Sequence, residues 1–213
     1  TLGQWIIKNR IYDKSLGFDD DFSEEEVLTL LKYESMLRDE LKSDRLIHSL
    51  NTMRFCIALA RVNQQKPFRF AVAGLLHDCA KQSVENNEPF CSHIPPEIRH
   101  SYSGSRVAKK KFGVGDVEIL DAIKYHTTSR PGATLMGKIV FAADKIEPAR
   151  VFPRIDELRE ITFRNIDEGY RECLSDIIKY LEIKGCKAHP DTYAAYSELQ
   201  YGIIKERKVD TGK

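Results

Sequence analysis

The spacing of hydrophobic residues along the chain predicts helices nearly throughout. The clearest stripe repeats every three or four residues, the interval that places side chains on one face of an α-helix: Leu46, Leu50, Met53 and Ile57. Similar stripes run through 68–81, 119–126, 134–147 and the long stretch 155–184. The alternating pattern of β-strands is absent from the sequence, so we expect an all-α protein.

Residues that favour helix ends mark several boundaries. Ser23 precedes three glutamates, which is typical of a helix start because a hydroxyl caps the first turn and acids suit its positive end. Pro148 ends the helix before it, and Gly185 closes the long stretch. Pro190 suits the first position of a last helix. Residues 13–23 are polar and contain glycine, so we interpret them as a linker.

Composition and charge narrow the function classes. The chain of 213 residues has 33 basic and 32 acidic side chains and a formal net charge of +1, which gives no long-range field for nucleic acid or an anionic membrane. No apolar run approaches the roughly 20 residues that cross a bilayer. Five cysteines without a CxxC pair favour a reducing compartment, so we expect a cytoplasmic protein with Cys79 as a small buried thiol. The start lacks a secretory pattern and an initiator Met, which suggests a piece of a longer chain.

Four ionisable residues occupy positions where helix packing favours hydrophobic side chains. His48 lies within the first stripe, His77 and Asp78 interrupt the apolar segment GLLHDCAK, and Asp144 follows Val140 by one turn. Singly, each is best explained as a buried residue with a hydrogen-bond or ion-pair partner. Together, two imidazoles and two carboxylates from separate helices form a mixed nitrogen and oxygen ligand set. That set suits iron, manganese, zinc or cobalt better than calcium, and a structural zinc site would more often recruit thiols.

Longer segments around these residues carry a family resemblance. In chain order they are RLIHSLNTMRFCIALA, AVAGLLHDCAK, IRHSYSGSRVAKKKFGV, ILDAIKYHTTSR and KIVFAADKIEPAR. Their order and spacing resemble the HD superfamily of metal-dependent phosphohydrolases, in particular the YqeK-like bacterial hydrolases. The resemblance covers about residues 36–205 and implies an HD-domain helical bundle. It also implies a symmetrical bis(5'-nucleosyl)-tetraphosphatase, which splits diadenosine tetraphosphate into two ADP.

The resemblance also implies roles for individual residues. The implied metal ligands are His48, His77, Asp78 and Asp144, with iron as the expected divalent metal. The residues implied in nucleotide binding are Arg45, His48, Asp78, Lys81, His100, His126, Thr127, Asp144 and Arg150. The implied catalytic set is Asp78, Lys81, His100 and His126. His100 and His126 match positions near the phosphates, where they complete a second metal site or contact the substrate, and we keep them on the substrate side.

The spacing of two cations agrees with these roles. Arg45 lies three residues before His48, and Lys81 lies three residues after Asp78, so each is expected to share a helix face with a ligand. The chain has no GxxxxGK[ST] phosphate loop, so a metal and converging cations must supply the positive charge. We expect metal-assisted hydrolysis, in which the ion activates water. His126 then protonates the leaving ADP or binds a second metal.

Two alternatives to this function stay open. Other HD proteins are nucleotide phosphatases or phosphodiesterases, and a nucleotide-sensing module without turnover is a rival of another class. The expected partners are a dinucleoside polyphosphate and its ADP product, with neither nucleic acid nor a membrane. The sequence fixes neither the metal identity nor the number of ions, and it leaves a homodimer open.

The N-terminal residues carry a weaker resemblance. GQWIIKNRIYD, residues 3–13, resembles the closing helix of nicotinate mononucleotide adenylyltransferases, which are sometimes fused to this type of hydrolase. The alternative is a helix that packs on the hydrolase core. We therefore expect three parts: an N-terminal segment and linker at 1–35, the HD hydrolase domain at 36–205 and a tail at 206–213.

Overall fold

The structure is a computed structural model that describes residues 22–210, with the backbone alone for Val84 and for residues 201–210. The segment that resembles an adenylyltransferase, most of the expected linker and the last three residues lie outside this range. The division into three parts therefore stays a prediction.

Nine α-helices form within the described range: α1 (Glu24–Glu40), α2 (Ser43–Val62), α3 (Phe68–Leu76), α4 (Arg99–Lys110), α5 (Val117–Tyr125), α6 (Leu135–Ile146), α7 (Ile155–Arg164), α8 (Ile166–Ile183) and α9 (Pro190–Asp210). Three short 3-10 helices connect α3 to α4: Val84–Asn87, Pro89–Cys91 and Pro96–Ile98. The described residues contain no β-strand, which confirms the all-α prediction. None of the described helices has both the length and the apolar character that a bilayer span requires.

Several predicted helix ends are confirmed. The Ser23 hydroxyl accepts a hydrogen bond from the Glu26 backbone N–H, and the Glu26 carboxylate accepts one from Ser23 N–H, so α1 begins with a complete capping box. Helix α9 starts at Pro190, as expected. The stretch 155–184 carries one helical stripe in the sequence, but in the structure it is divided into α7 and α8. Asn165 is extended, and its side chain caps α8, because Asn competes well for free N–H groups at a helix start.

The core brings together the helices that carry the ionisable residues. Helix α2 packs against α3 and α6, and α5 packs against α3, α4 and α6. The contact surfaces bury large apolar side chains completely: Met53, Leu75, Ile123, Met136 and Ile139. Each such side chain stabilises the fold by about 1.5–3 kcal/mol relative to an exposed position. These contacts fix the positions of α2, α3 and α6 relative to one another.

Gly74 sets how closely α3 approaches α2. A Cβ at this position would lie 2.8 Å from Cys56 Sγ and 2.9 Å from the Cα of Met53. A backbone atom cannot move away as a flexible side chain can, so a larger residue would push the two helices apart. His48 lies on α2 and His77 directly follows α3, so this contact also fixes the distance between the two imidazoles.

We expect Gly74→Ala to destabilise the protein by about 1–3 kcal/mol, the usual cost of overpacking a core. The matched control is Gly137→Ala on α6, where the nearest atoms to the added Cβ are 3.8 Å away. Because alanine has the higher helix propensity, the control should be neutral or slightly stabilising. Thermal or urea unfolding measures both, and equal stability of the two variants would contradict the close-approach argument.

Candidate metal centre

Four of the predicted residues converge at one buried point. His48 comes from α2, His77 and Asp78 from the turn that follows α3, and Asp144 from α6. His48 Nε2 lies 3.1 Å from His77 Nε2, 3.0 Å from Asp144 Oδ1 and 3.9 Å from Asp78 Oδ2. His77 Nε2 lies 3.6 Å from Asp78 Oδ2 and 3.9 Å from Asp144 Oδ1. Donor atoms that each bind one ion at about 2.1 Å have spacings close to these.

Backbone carbonyls fix the orientation of two imidazole rings. The Nδ1 of His77 lies 2.8 Å from the carbonyl oxygen of Gly74, and the Nδ1 of His126 lies 2.8 Å from that of Ile123. A carbonyl oxygen only accepts, so the proton of each neutral ring belongs on Nδ1. The Nε2 lone pairs of both rings are therefore available to a metal. A hydrogen bond from the opposite ring nitrogen to a carbonyl or carboxylate oxygen is common for histidine ligands.

The electrostatics favour neutral rings at His77 and His100 and ionised carboxylates at Asp78 and Asp144. At His48, burial acts to lower the pKa, but the hydrogen bonds to Asp144 and Glu147 outweigh it and raise the pKa above its ordinary value. Burial lowers the pKa of His77 to about 3, and it lowers the pKa of His100 to about 3 as well, so both rings are neutral near pH 7. Burial alone would raise the pKa of Asp78 and Asp144. Neighbouring groups, led by His77 for Asp78 and Lys145 for Asp144, hold the pKa of each carboxyl well below its usual range.

A second group of ligand atoms adjoins the first and shares Asp78. Asp78 Oδ1 lies 3.3 Å from His100 Nε2 and 3.4 Å from His126 Nε2, and these two nitrogens are 3.3 Å apart. Asp78 Oδ1 is buried and accepts no hydrogen bond within the described part of the chain, which would be costly without a positive partner. The donor set therefore fits divalent ions: His48, His77, Asp78 and Asp144 would surround one, and Asp78, His100 and His126 would surround a second.

Four cations surround the two carboxylates. Arg45 Nη1 lies 2.8 Å from Asp78 Oδ2, Arg150 Nη2 lies 2.9 Å from Asp144 Oδ1, and Lys81 Nζ lies 3.0 Å from His100 Nε2. The fourth cation, Lys145, lies 2.5 Å from the other oxygen of Asp144. Three of these side chains are 22–40% exposed, so a ligand from solvent can reach them: Arg45, Lys145 and Arg150. This ring can hold a polyanion against the metal ligands.

The structure brings all the sequence-predicted site residues together. Thr127, the remaining one, places Oγ1 3.2 Å from His126 Nε2. The prediction that Asp78 and Lys81 share a helix face is wrong, because α3 ends at Leu76 and the residues after it form turns. Lys81 still lies beside Asp78, since its N–H donates to the Asp78 carbonyl in a tight turn. Cys79 is buried as expected, and burial raises the pKa of its thiol.

Sequence reasoning missed two residues at the site. Lys145 directly follows Asp144, and Glu147 lies three residues after it. Glu147 is buried and its Oε1 lies 3.1 Å from His48 Nδ1. An acidic residue at the C-terminal end of a helix interacts unfavourably with the helix dipole. The position of Glu147 at the end of α6 was therefore a sequence feature that could have identified it as a candidate.

Comparison with known proteins gives consistent matches. The family model for the HD domain matches residues 45–149. The symmetrical bis(5'-nucleosyl)-tetraphosphatase of Bacillus subtilis (strain 168) is 31% identical over 176 residues, which cover 78% of this chain and 95% of that protein. A Mycoplasma genitalium protein, named probable nicotinate-nucleotide adenylyltransferase/Ap4A hydrolase, is 31% identical over 63% of this chain and 42% of its own length.

A solved structure is also similar. It is a crystal structure from Clostridium acetobutylicum, described as a predicted HD superfamily hydrolase involved in NAD metabolism. Its TM-score is 0.73 at 32% sequence identity, and the match covers 80% of this chain and 96% of that one.

We expect His77→Ala to abolish tight metal binding, because His77 is fully buried and contributes a donor atom to the first ligand group. Elemental analysis after dialysis measures this, with His93→Ala, an exposed histidine, as the matched control. Retention of the wild-type metal content by His77→Ala would contradict the assignment.

His100→Ala distinguishes one ion from two. If the second ligand group holds an ion, this variant should lose one ion per chain and keep the other, because the first group remains intact. Titration with manganese, followed by elemental analysis, gives the stoichiometry. An unchanged stoichiometry in His100→Ala would rule out the second ion.

Proposed function

Because this chain belongs to the family of symmetrical bis(5'-nucleosyl)-tetraphosphatases, built on an HD domain, we propose that it hydrolyses diadenosine tetraphosphate to two ADP in a metal-dependent reaction. The observation that carries the proposal is one buried cluster of imidazoles and carboxylates with a ring of cations around it. A tetraphosphate carries several negative charges, whereas the chain as a whole has a formal net charge of only +1. The metal and the nearby cations must therefore supply the positive charge that binds it.

We propose iron as the resident metal, with manganese, cobalt and zinc suited to the same donors. His48, His77, Asp78 and Asp144 would hold it. When bound, such an ion supplies Lewis acidity to a phosphoryl oxygen and to the water that attacks it. We also propose that His100 and His126 contact the substrate's phosphates or, as the alternative, hold a second ion with Asp78. His126 Nδ1 lies 2.8 Å from the Ile123 carbonyl oxygen, which turns Nε2 toward the site, where it would bind that ion or give a proton to the leaving ADP.

The protein's cations bind and orient the substrate. Arg45, Lys81, Lys145 and Arg150 form the ring around the carboxylates. Fixed cations at this position offset the negative charge that builds on phosphoryl oxygens in the transition state, at no cost in reorganisation. Arg150 also donates through Nε to the Asp144 carbonyl at 3.0 Å, so its guanidinium is already held in place before substrate arrives. Thr127 lies beside His126 and is proposed to bind a phosphate or the ribose.

We propose a cytoplasmic location because the cysteines form no disulfide bonds. All five lie in the described range, all are free, and four of them are buried. That usage fits a reducing compartment.

Product analysis tests the proposed function against its alternatives. Purified protein loaded with iron or manganese is incubated with diadenosine tetraphosphate and a panel of nucleoside monophosphates and cyclic dinucleotides. ADP as the sole product of the tetraphosphate supports the proposal, and AMP with ATP would reject the symmetrical cut. Turnover of another nucleotide alone would favour a different HD reaction, and tight binding without product would favour a sensor.

Lys81→Gln tests the role of the cation ring. We expect kcat/KM for the tetraphosphate to fall about 10- to 100-fold, because a charge close to the phosphates is removed while the metal ligands stay. The control is Lys110→Gln, an exposed lysine at the end of α4. Equal activity of the two variants would show that Lys81 has no part in binding or turnover.

A further inference from the structure

Glu147 is a buried carboxylate that the proposed chemistry does not use. It ends α6, is only 2% exposed, and places Oε1 3.1 Å from the Nδ1 of His48. The opposite nitrogen of His48, Nε2, faces His77 Nε2 at 3.1 Å and Asp144 Oδ1 at 3.0 Å. The carboxylate thus lies behind the ring, on the side away from the other ligand atoms.

The second oxygen of Glu147 is held by two donors. The amide nitrogen of Asn51 lies 3.0 Å from Oε2, and the backbone N–H of Ala149 donates to the same atom at 2.7 Å. Asn51 is oriented in turn, because its carbonyl oxygen accepts from Arg54 Nη1 at 3.2 Å and its NH2 group therefore faces Glu147. The carboxylate cannot rotate without breaking these bonds.

This arrangement dictates the tautomer of His48. Both oxygens of an ionised carboxylate only accept, so the Nδ1 that faces Glu147 must carry a proton. Nε2 also faces an acceptor, Asp144 Oδ1 at 3.0 Å, so a bound ion would take the place of the Nε2 proton while Glu147 keeps the proton on Nδ1. His77 and His126 are oriented by backbone carbonyls, which no substitution removes. Among these three rings, His48 is the one whose orientation depends on a side chain.

Glu147 also reaches the phosphate side of the site. Its bond to Ala149 N–H fixes the turn that carries Arg150, and the Arg150 N–H donates to the Glu147 carbonyl at 2.9 Å. One carboxylate therefore joins a metal ligand to a cation of the ring.

We propose that Glu147 is a positioning residue that fixes the ring orientation and the Nδ1–H tautomer of His48 for metal binding. The inference rests on one part of the proposed function, namely that a metal binds this cluster. It does not depend on which substrate the protein hydrolyses. Carboxylates behind histidine ligands contribute strongly to metal affinity in general.

Glu147→Gln is the sharpest substitution, because it keeps the shape and changes one oxygen into a donor. If the amide NH2 faces His48, Nδ1 must give up its proton and Nε2 loses the lone pair. If it faces the other way, it opposes the N–H groups of Asn51 and Ala149. Either outcome should weaken the affinity for zinc, used as the probe ion, about 10- to 100-fold in competition with a chromophoric chelator.

The matched control is Glu118→Gln, a partly buried carboxylate that binds Arg69 at 2.8 Å. Its zinc affinity should equal that of the wild type. Thermal unfolding of both metal-free variants separates positioning from folding. An unchanged zinc affinity in Glu147→Gln would overturn the proposal, whereas a loss of turnover at unchanged affinity would concern the proposed function alone.

A second measurement needs no variant. Two-bond nitrogen–hydrogen NMR correlations of the zinc-loaded wild-type protein report which ring nitrogen of His48 carries the proton. The proposal requires the Nδ1–H form. An Nε2–H form would overturn it, even if Glu147→Gln failed to fold.

Discussion

The structure depends on one constraint, the close approach of buried imidazole nitrogens and carboxylate oxygens. The Nε2 atoms of His48 and His77 face each other at 3.1 Å, and carboxylate oxygens of Asp78 and Asp144 lie within 4 Å of them. Two imidazoles and two carboxylates buried together in this way require positive charge among them. A cation at their centre supplies that charge, so metal binding and the stability of this part of the core are linked.

The surrounding elements serve to hold that arrangement. The contact of α2 with Gly74 of α3 sets the distance between the imidazoles, and backbone carbonyls or Glu147 orient the rings. The cations of the ring, such as Arg45 and Arg150, lie at the boundary between the buried ligand atoms and solvent. Their positions let the same positive charges neutralise Asp78 and Asp144 in the free protein and phosphates when a substrate is bound. This dual use explains how a chain of nearly zero net charge can bind a polyanion.

The sequence predicted the elements better than the site. Periodicity and capping residues gave the all-α class and the start of α1, because both are local properties. Asn165 divided the stretch 155–184 into two helices, since its capping preference outweighed an unbroken apolar stripe. The site required contacts between residues up to 99 positions apart, such as His48 with Glu147, and periodicity carries no such information. The ligand set was identified because motif spacing resembles a family. Glu147 and Lys145 were missed because nothing in that reasoning assigned them a role.

The central claim is that these remote side chains surround a cation, and anomalous diffraction tests it most directly. Crystals of manganese-loaded protein, measured near the manganese absorption edge, should show a peak about 2.1 Å from the Nε2 atoms of His48 and His77 and from oxygens of Asp78 and Asp144. Crystals of active, manganese-loaded protein without an anomalous peak at this centre would contradict the account.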